Sequence, residues 1–194
     1  MVFHFVSLGL GDAKDITVRG LEIVKGCERI YLECYTAILA ISATELEEFY
    51  GKPVVVADRH MVERDAAAIM EGADVVDVAF LVVGDAFAAT THHDIYLRAV
   101  ANNIPVNVVH NASIMNAVAC CGLQLYQFGL IVSICFFDGN WRPYSYFEKY
   151  VTNFKNGMYT LCWLDINVEE KTQENIVKGV EIFESERNMT INQA

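Results

Sequence analysis

Two hydrophobic periods alternate along this chain. Short, almost continuous apolar runs at residues 2–8, 29–33, 54–57, 78–84 and 106–110 have the character of strands. Between them, residues 17–27, 43–50, 60–71 and 91–102 place apolar side chains at helical spacing. Gly26, Gly51-Lys52-Pro53, Gly72 and Asn102-Asn103 mark the ends of these segments. Strands that are apolar on both faces, each followed by a helix, predict a parallel sheet covered on both sides. Asp15 or Thr17 suits the N-cap of the first helix.

The texture changes after about residue 115. Residues 131–137 and 159–166 are strand-like and rich in aromatics, and 143–156 predicts a helix. Residues 169–184 carry many charges and predict a surface helix or loop, and 189–194 predict the start of a helix. The fold class is therefore α/β, with an N-terminal parallel-sheet domain over 1–117 followed by a mixed α+β domain over 118–194. No low-complexity linker and no internal repeat interrupts them.

A hydrophobic content of 54% over 194 residues is ample for a core. Charged and polar residues interrupt every apolar run before membrane-spanning length, and the first residues lack the basic and cleavage signals of a secretory leader. A cytoplasmic chain with no membrane partner is expected. The net charge of −11 argues against nucleic acid as a partner, since phosphates are neutralised by clustered Lys and Arg. The six cysteines (Cys27, Cys34, Cys120, Cys121, Cys135, Cys162) form no C-x-x-C pair, so buried thiols in a reducing compartment are expected, and no metal site.

Candidate chemistry centres on two strand-to-loop junctions. The run Phe80-Leu-Val-Val-Gly-Asp85 stops at Gly-Asp and gives way to small residues and paired threonines before His92. Leu8-Gly-Leu-Gly-Asp12 repeats the pattern after the first strand. Ligands of open α/β sheets sit outside the carboxyl ends of strands, so the two junctions predict a nucleotide-like pocket. The Gly9-x-Gly11 pair is too short for a dinucleotide fingerprint, although Glu33 falls near the spacing of a ribose-binding acid and keeps that alternative open. Asp85 suits either a ligand's polar groups or the cap of the following helix. Adjacent His92 and His93 point apart on a helix and make a poor metal pair, so surface or capping roles are expected. His110 is expected in the core, and Asp12 and Asp15 are expected to order their turn. Ser113 lacks the G-x-S-x-G context of a nucleophile. Aromatics at 136–137 and 141–150 suit core or dimer packing better than a substrate groove.

Taken in order, Leu8-Gly-Leu-Gly-Asp12-Ala-Lys-Asp-Ile-Thr17, Val82-Val-Gly-Asp85, Thr90-Thr-His92, His110-Asn-Ala-Ser113-Ile-Met-Asn-Ala117 and Cys120-Cys-Gly-Leu-Gln-Leu-Tyr126 resemble the diphthine synthases. These belong to the tetrapyrrole-methylase-like class of S-adenosylmethionine-dependent methyltransferases. The likeness runs over essentially the whole chain, and Glu47-Glu-Phe-Tyr-Gly51 is similar to the eukaryotic branch. It implies two domains with S-adenosyl-L-methionine in the cleft between them, and S-adenosyl-L-homocysteine as the product. It also implies a homodimer. The implied acceptor is the amino-carboxypropyl-modified histidine of translation elongation factor 2, in diphthamide biosynthesis. Archaeal relatives trimethylate its amine; eukaryotic ones also methylate its carboxylate, giving a methyl ester. The motif positions place cofactor contacts at Leu10, Asp85, Ala88, Ser113, Ile114 and Leu164, with no catalytic acid or base assigned.

The family pattern continues beyond residues 189–194, so a second domain lacking part of its sheet is expected. Four positions depart from that pattern: Ser7, Ala88 and Ala119 replace glycines, and Ala86 replaces a proline. An alanine where glycine held a positive φ would be strained. Two further readings stand beside this one: a methylase of the same fold acting on a tetrapyrrole or corrin, and a non-catalytic dimerising fragment.

Overall fold

The computed structural model describes residues 1–37, 42–88, 90–137, 140–168, 173–180 and 182–194. They form two compact units, 1–117 and 118–194.

In the first unit the chain runs β1 (Phe3–Ser7), α1 (Val18–Gly26), β2 (Arg29–Glu33), α2 (Ala43–Tyr50), β3 (Val55–Ala57), α3 (Arg59–Glu63), α4 (Ala66–Met70), β4 (Val78–Val82), α5 (His93–Ala101), β5 (Val106–Val109) and α6 (Ile114–Ala117). The five strands make one parallel sheet in the order β3-β2-β4-β1-β5. Strand alternation sorts its side chains into two cores. Phe3, Phe5, Tyr31 and Phe80 face Val62, Ile69 and Ile95 of α3, α4 and α5. Val6, Leu8, Ile30 and Leu81 face Val24 of α1 and Leu46 of α2. The five predicted strands are all present; the central three, β2, β4 and β1, are almost wholly buried, which requires them to be apolar along most of their length.

The helix starts follow local chemistry. Thr17 Oγ1 accepts from the Gly20 N–H at 3.0 Å and caps α1, a role Asp15 does not take. Ser42 and Glu45 close a reciprocal capping box on α2. Asp58 accepts from the Met61 N–H at 2.7 Å and caps α3. The helix expected over 60–71 is in fact two, α3 and α4. Asp65 adopts φ −116°, ψ 36° between them, although the apolar spacing runs straight through to Ala66 and Ile69. Aspartate competes poorly for helix interiors, which fits the break.

The second unit holds β6 (Val132–Ile134), α7 (Ser145–Lys155), β7 (Cys162–Leu164), β8 (Ile166–Asn167), α8 (Gln173–Lys178) and β9 (Arg187–Asn188). β6 and β7 pair in parallel, and β8 and β9 antiparallel. Both main strands are shorter than the apolar runs suggested, and side chains take backbone groups on either side of β6. The buried amide of Asn153 takes both backbone groups of Leu130, at 2.9 Å and 2.7 Å, so Leu130 leaves the ladder. At the other end Asp165 Oδ2 accepts from the Phe136 N–H at 2.9 Å. Part of the charged stretch over 169–184 lies outside the described residues, and α8 is helical as one of the two expectations held. Where the start of a helix was expected, the final residues form a hydrogen-bonded turn: Gln193 Oε1 accepts from the Thr190 N–H at 2.8 Å, and the Ala194 N–H reaches the Thr190 carbonyl at 3.3 Å.

No disulfide joins the six cysteines. Only Cys27 is buried, however; Cys120, Cys121 and Cys162 are exposed, because the segments around them form turns and a short strand and not buried strands. No helix among the described residues is long and apolar enough to cross a membrane.

Candidate functional site

The site grows out of the sheet's connectivity. The connection after β1 runs through α1 on one face, and the connection after β4 runs through α5 on the other. Neighbouring strands whose loops leave toward opposite faces open a crevice at their carboxyl ends. Gly9 and Gly84 sit in that crevice at φ +79° and +74°, a region glycine enters without penalty. They exchange backbone hydrogen bonds, Gly9 N–H to Gly84 O at 3.1 Å and Gly84 N–H to Gly9 O at 2.7 Å. A Cβ on Gly84 would stand 3.7 Å from Leu10 Cδ2, 3.9 Å from the Ala112 carbonyl and 4.0 Å from Ser113 Cα. The loops after β1, β4 and β5 therefore converge on the space over Gly84.

Polar side chains fix those loops to one another. Asp15 Oδ2 accepts from the Gly11 N–H at 2.7 Å, and Asp12 Oδ1 from the Lys14 N–H at 2.8 Å, so both aspartates order the first turn as expected. Asn111 donates to the Ser7 carbonyl at 3.2 Å and the Asp15 carbonyl at 2.9 Å, tying the loop after β5 to the loop after β1. Ser113 is nearly buried, its N–H donating to Asn116 Oδ1 at 3.0 Å, and Ile114 stays partly exposed at the start of α6.

Asp85 joins the β4 and β5 loops. Its Oδ1 accepts from the Phe87 N–H at 3.0 Å; its Oδ2 meets His110 Nδ1 at 2.8 Å and the Asn111 N–H at 3.1 Å. Partial burial alone would push this carboxyl up. The N–H of Phe87, the His110 ring and the N–H of Asn111 outweigh it and hold Asp85 below the usual carboxylate range. Of the two roles open to Asp85, the cap on the following helix does not form, since α5 starts only at His93. His110 is not a core residue either: its side chain is 71% exposed, against 12% for Asp85.

Ala86 anchors the loop after β4. Its N–H donates to Ser7 Oγ at 3.0 Å, with both residues fully buried. Its carbonyl accepts from Thr90 Oγ1 and faces His92 Nδ1 at 3.3 Å. His92 is fully buried, with Phe80 and Tyr35 edge-on, so the expected surface or capping role fails for it. Burial pulls its pKa down to about 4. A neutral ring donating from Nδ1 to Ala86 leaves Nε2 as a bare lone pair. His93, one residue on, is exposed and stacks on Tyr96. Glu33 turns into its own loop: its carboxylate accepts from Tyr35 and Thr36, with burial raising its pKa. It is not held out toward a ribose.

Of the six positions singled out from the sequence, Leu10, Asp85, Ala88, Ser113 and Ile114 belong to the three converging loops. Ala88 closes the turn there, its N–H donating to the Asp85 carbonyl at 3.1 Å. Leu164 lies in β7 of the second unit, opposite Ile134. Asn111, Ser7, His92 and the pairing of His110 with Asp85 emerge only in three dimensions. None of the substituted positions is strained: Asn103 is the one described non-glycine residue with a positive φ, so Ser7, Ala86, Ala88 and Ala119 all hold ordinary backbone.

The profile of the tetrapyrrole (corrin/porphyrin) methylases matches residues 2–161. The human protein named diphthine methyl ester synthase is 58% identical over 193 residues, spanning 100% of this chain and 68% of its own. Its namesake in Schizosaccharomyces pombe is 52% identical over 189 residues, covering 97% and 67%. Among solved structures, a candidate diphthine synthase from Entamoeba histolytica superposes with a TM-score of 0.84 at 49% identity, covering 99% of this chain and 68% of that one. A further diphthine synthase structure gives 0.79 at 36% identity, covering 85% and 64%. The chain thus belongs to the tetrapyrrole (corrin/porphyrin) methylase family, in the branch of the diphthine methyl ester synthases.

Proposed function

We propose that this chain is an S-adenosyl-L-methionine-dependent methyltransferase of diphthamide biosynthesis, methylating the amino-carboxypropyl-modified histidine of translation elongation factor 2 to diphthine methyl ester. The observation that carries this reading is the convergence of three loops on Gly84, in a chain of this family. The donor set suits the cofactor. Leu10 and Ile114 offer partly exposed apolar side chains for a flat base, while the ionised Asp85 and the backbone around Ala88 and Ser113 offer polar partners. Leu164 is the contribution we assign to the second unit. A Gly84 without a side chain keeps the space over the loops open.

Bound there, S-adenosylmethionine supplies an electrophilic methyl group together with its own leaving group. The protein's task is then to hold the loops still, so that donor and acceptor meet in line. Asp15, Asp85 and Asn111 do this by crosslinking the three loops through the hydrogen bonds above. The acceptor is a protein, the enzyme works in the cytoplasm, and the assembly is a homodimer in this reading.

Calorimetric titration with S-adenosylhomocysteine, with NAD as the control, tests the site. Saturable binding of the first alone is expected, raising stability by about 2.7 kcal/mol at a hundredfold excess over Kd. Binding of NAD in its place would overturn the reading.

A further inference from the structure

Methyl transfer to an amine has a requirement that transfer to a carboxylate lacks: the nitrogen must first lose a proton. We propose that His110, oriented by Asp85, is the group that takes this proton. The inference rests on the acceptor named above and adds a catalytic residue to it.

The geometry is that of a base held by a partly buried carboxylate. His110 follows β5 directly, and its Nδ1 lies 2.8 Å from Asp85 Oδ2. Asp85 is itself fixed by the N–H groups of Phe87 and Asn111, so it stays an ionised acceptor. A carboxylate can only accept from Nδ1–H, which selects the tautomer with a bare lone pair on Nε2. Nε2 lies across the ring from Nδ1, and the His110 side chain is 71% exposed, so this lone pair is presented outward. A base oriented by a third group is the arrangement that proton abstraction needs.

The other histidines do not offer it. His92 is fully buried, with Nδ1 committed to Ala86. His93 stacks on Tyr96 along α5, and His4 pairs with Asn107 within the sheet. His60 sits on α3, which follows β3 at the opposite end of the strand order from β5. His110 alone combines exposure, a carboxylate partner and a place on the loops around Gly84.

The step balances simply. An ammonium N–H proton passes to His110 Nε2, and the freed nitrogen pair bonds to the methyl carbon while the carbon–sulfur pair stays on sulfur. His110 then returns its proton to water. Each transfer to nitrogen needs one such removal; transfer to the carboxylate oxygen needs none.

This asymmetry supplies the test. Elongation factor 2 is prepared with the amino-carboxypropyl group free, and separately with its amine already quaternised, leaving only the carboxylate to accept. His110→Gln is expected to slow methylation of the free amine by about 10²–10⁴-fold, the range for loss of a general base. The same variant is expected to slow methylation of the quaternised acceptor far less, so that the loss falls selectively on the amine. Nitrogen chemical shifts of the ligand-free wild type are expected to report the Nδ1–H tautomer of His110. An amine rate like wild type, a loss of equal size on both acceptors, or an Nε2–H tautomer overturns the role. A wild type that methylates neither acceptor refutes the proposed function itself, and the role falls with it.

Discussion

Replacing Ser7 with alanine removes one oxygen from the fully buried end of β1 and strands the Ala86 N–H. That N–H donates to Ser7 Oγ at 3.0 Å, and nothing around it admits water, since both residues are 0% exposed. A buried donor left without a partner costs about 1–3 kcal/mol, and for a chain of this size each kcal/mol lowers Tm by about 2–4 °C. The same structure predicts the repair. The Ala88 N–H to Asp85 carbonyl bond closes a turn with Ala86 at its second position, and Phe87 at the third does not have a positive φ. That is a type I turn, whose second position favours proline. Ala86→Pro deletes the orphaned donor, so the double variant Ser7→Ala/Ala86→Pro should recover most of the loss. Urea or thermal unfolding of wild type, both single variants and the double variant closes the cycle. The expected coupling exceeds about 1 kcal/mol, because the two residues share one buried bond. Independent, additive effects would refute the reasoning, as would a Ser7→Ala variant as stable as wild type. The same pairing explains two departures from the family pattern together. Glycine with proline at these positions has neither hydroxyl nor N–H, whereas serine with alanine has both, and they meet.

Gly84→Ala is expected to lower stability by about 1–2 kcal/mol through its left-handed backbone, and to weaken S-adenosylhomocysteine binding by placing a methyl over the converging loops. Gly51→Ala is the control in calorimetry: Gly51 holds φ +70° with open space around it, so it should lose stability and keep affinity. His92 titrates only near pH 4 in the folded state, from an ordinary value of 6.5. Stability from keeping it neutral is complete above pH 6.5 and falls by about 3 kcal/mol as pH drops toward 4. Urea midpoints across that window should show a shallower slope for His92→Gln than for wild type, and equal slopes would exclude His92 as the source. Asn153→Ala leaves both backbone groups of Leu130 and the Thr160 hydroxyl without their partner. It should destabilise the second unit by about 1–3 kcal/mol, read as earlier proteolysis in that unit; unchanged cleavage there would contradict the role given to the amide.

The parallel sheet was legible because its central strands, β2, β4 and β1, are apolar along nearly their whole length, and the start of α1 because Thr17 acts within three residues of itself. What escaped depends on long-range pairing. Ser7 and Ala86 are 79 positions apart, and Asn111 reaches back 104 to the Ser7 carbonyl. No local pattern announces either bond. His92 and His93 look alike in sequence, yet one seals the core and the other faces solvent, which depends on where α5 begins. The pairing ahead of β6 breaks at Leu130, whose backbone groups are taken by Asn153, a side chain on a helix the strand pattern does not contain. At the site, the Gly-Asp junctions located the converging loops. The tie that Asp85 makes between two loops, with His110 on its outer side, joins positions 25 and 26 residues apart and has no local signature.

The central claim is transfer of methyl groups to one modified histidine. Elongation factor 2 carrying the amino-carboxypropyl group, incubated with this chain and S-adenosylmethionine, should gain whole methyl increments in its intact mass. Fragmentation should place every increment on that histidine. An acceptor of unchanged mass under conditions where S-adenosylhomocysteine binds saturably, or methylation of a tetrapyrrole in its place, would contradict the account.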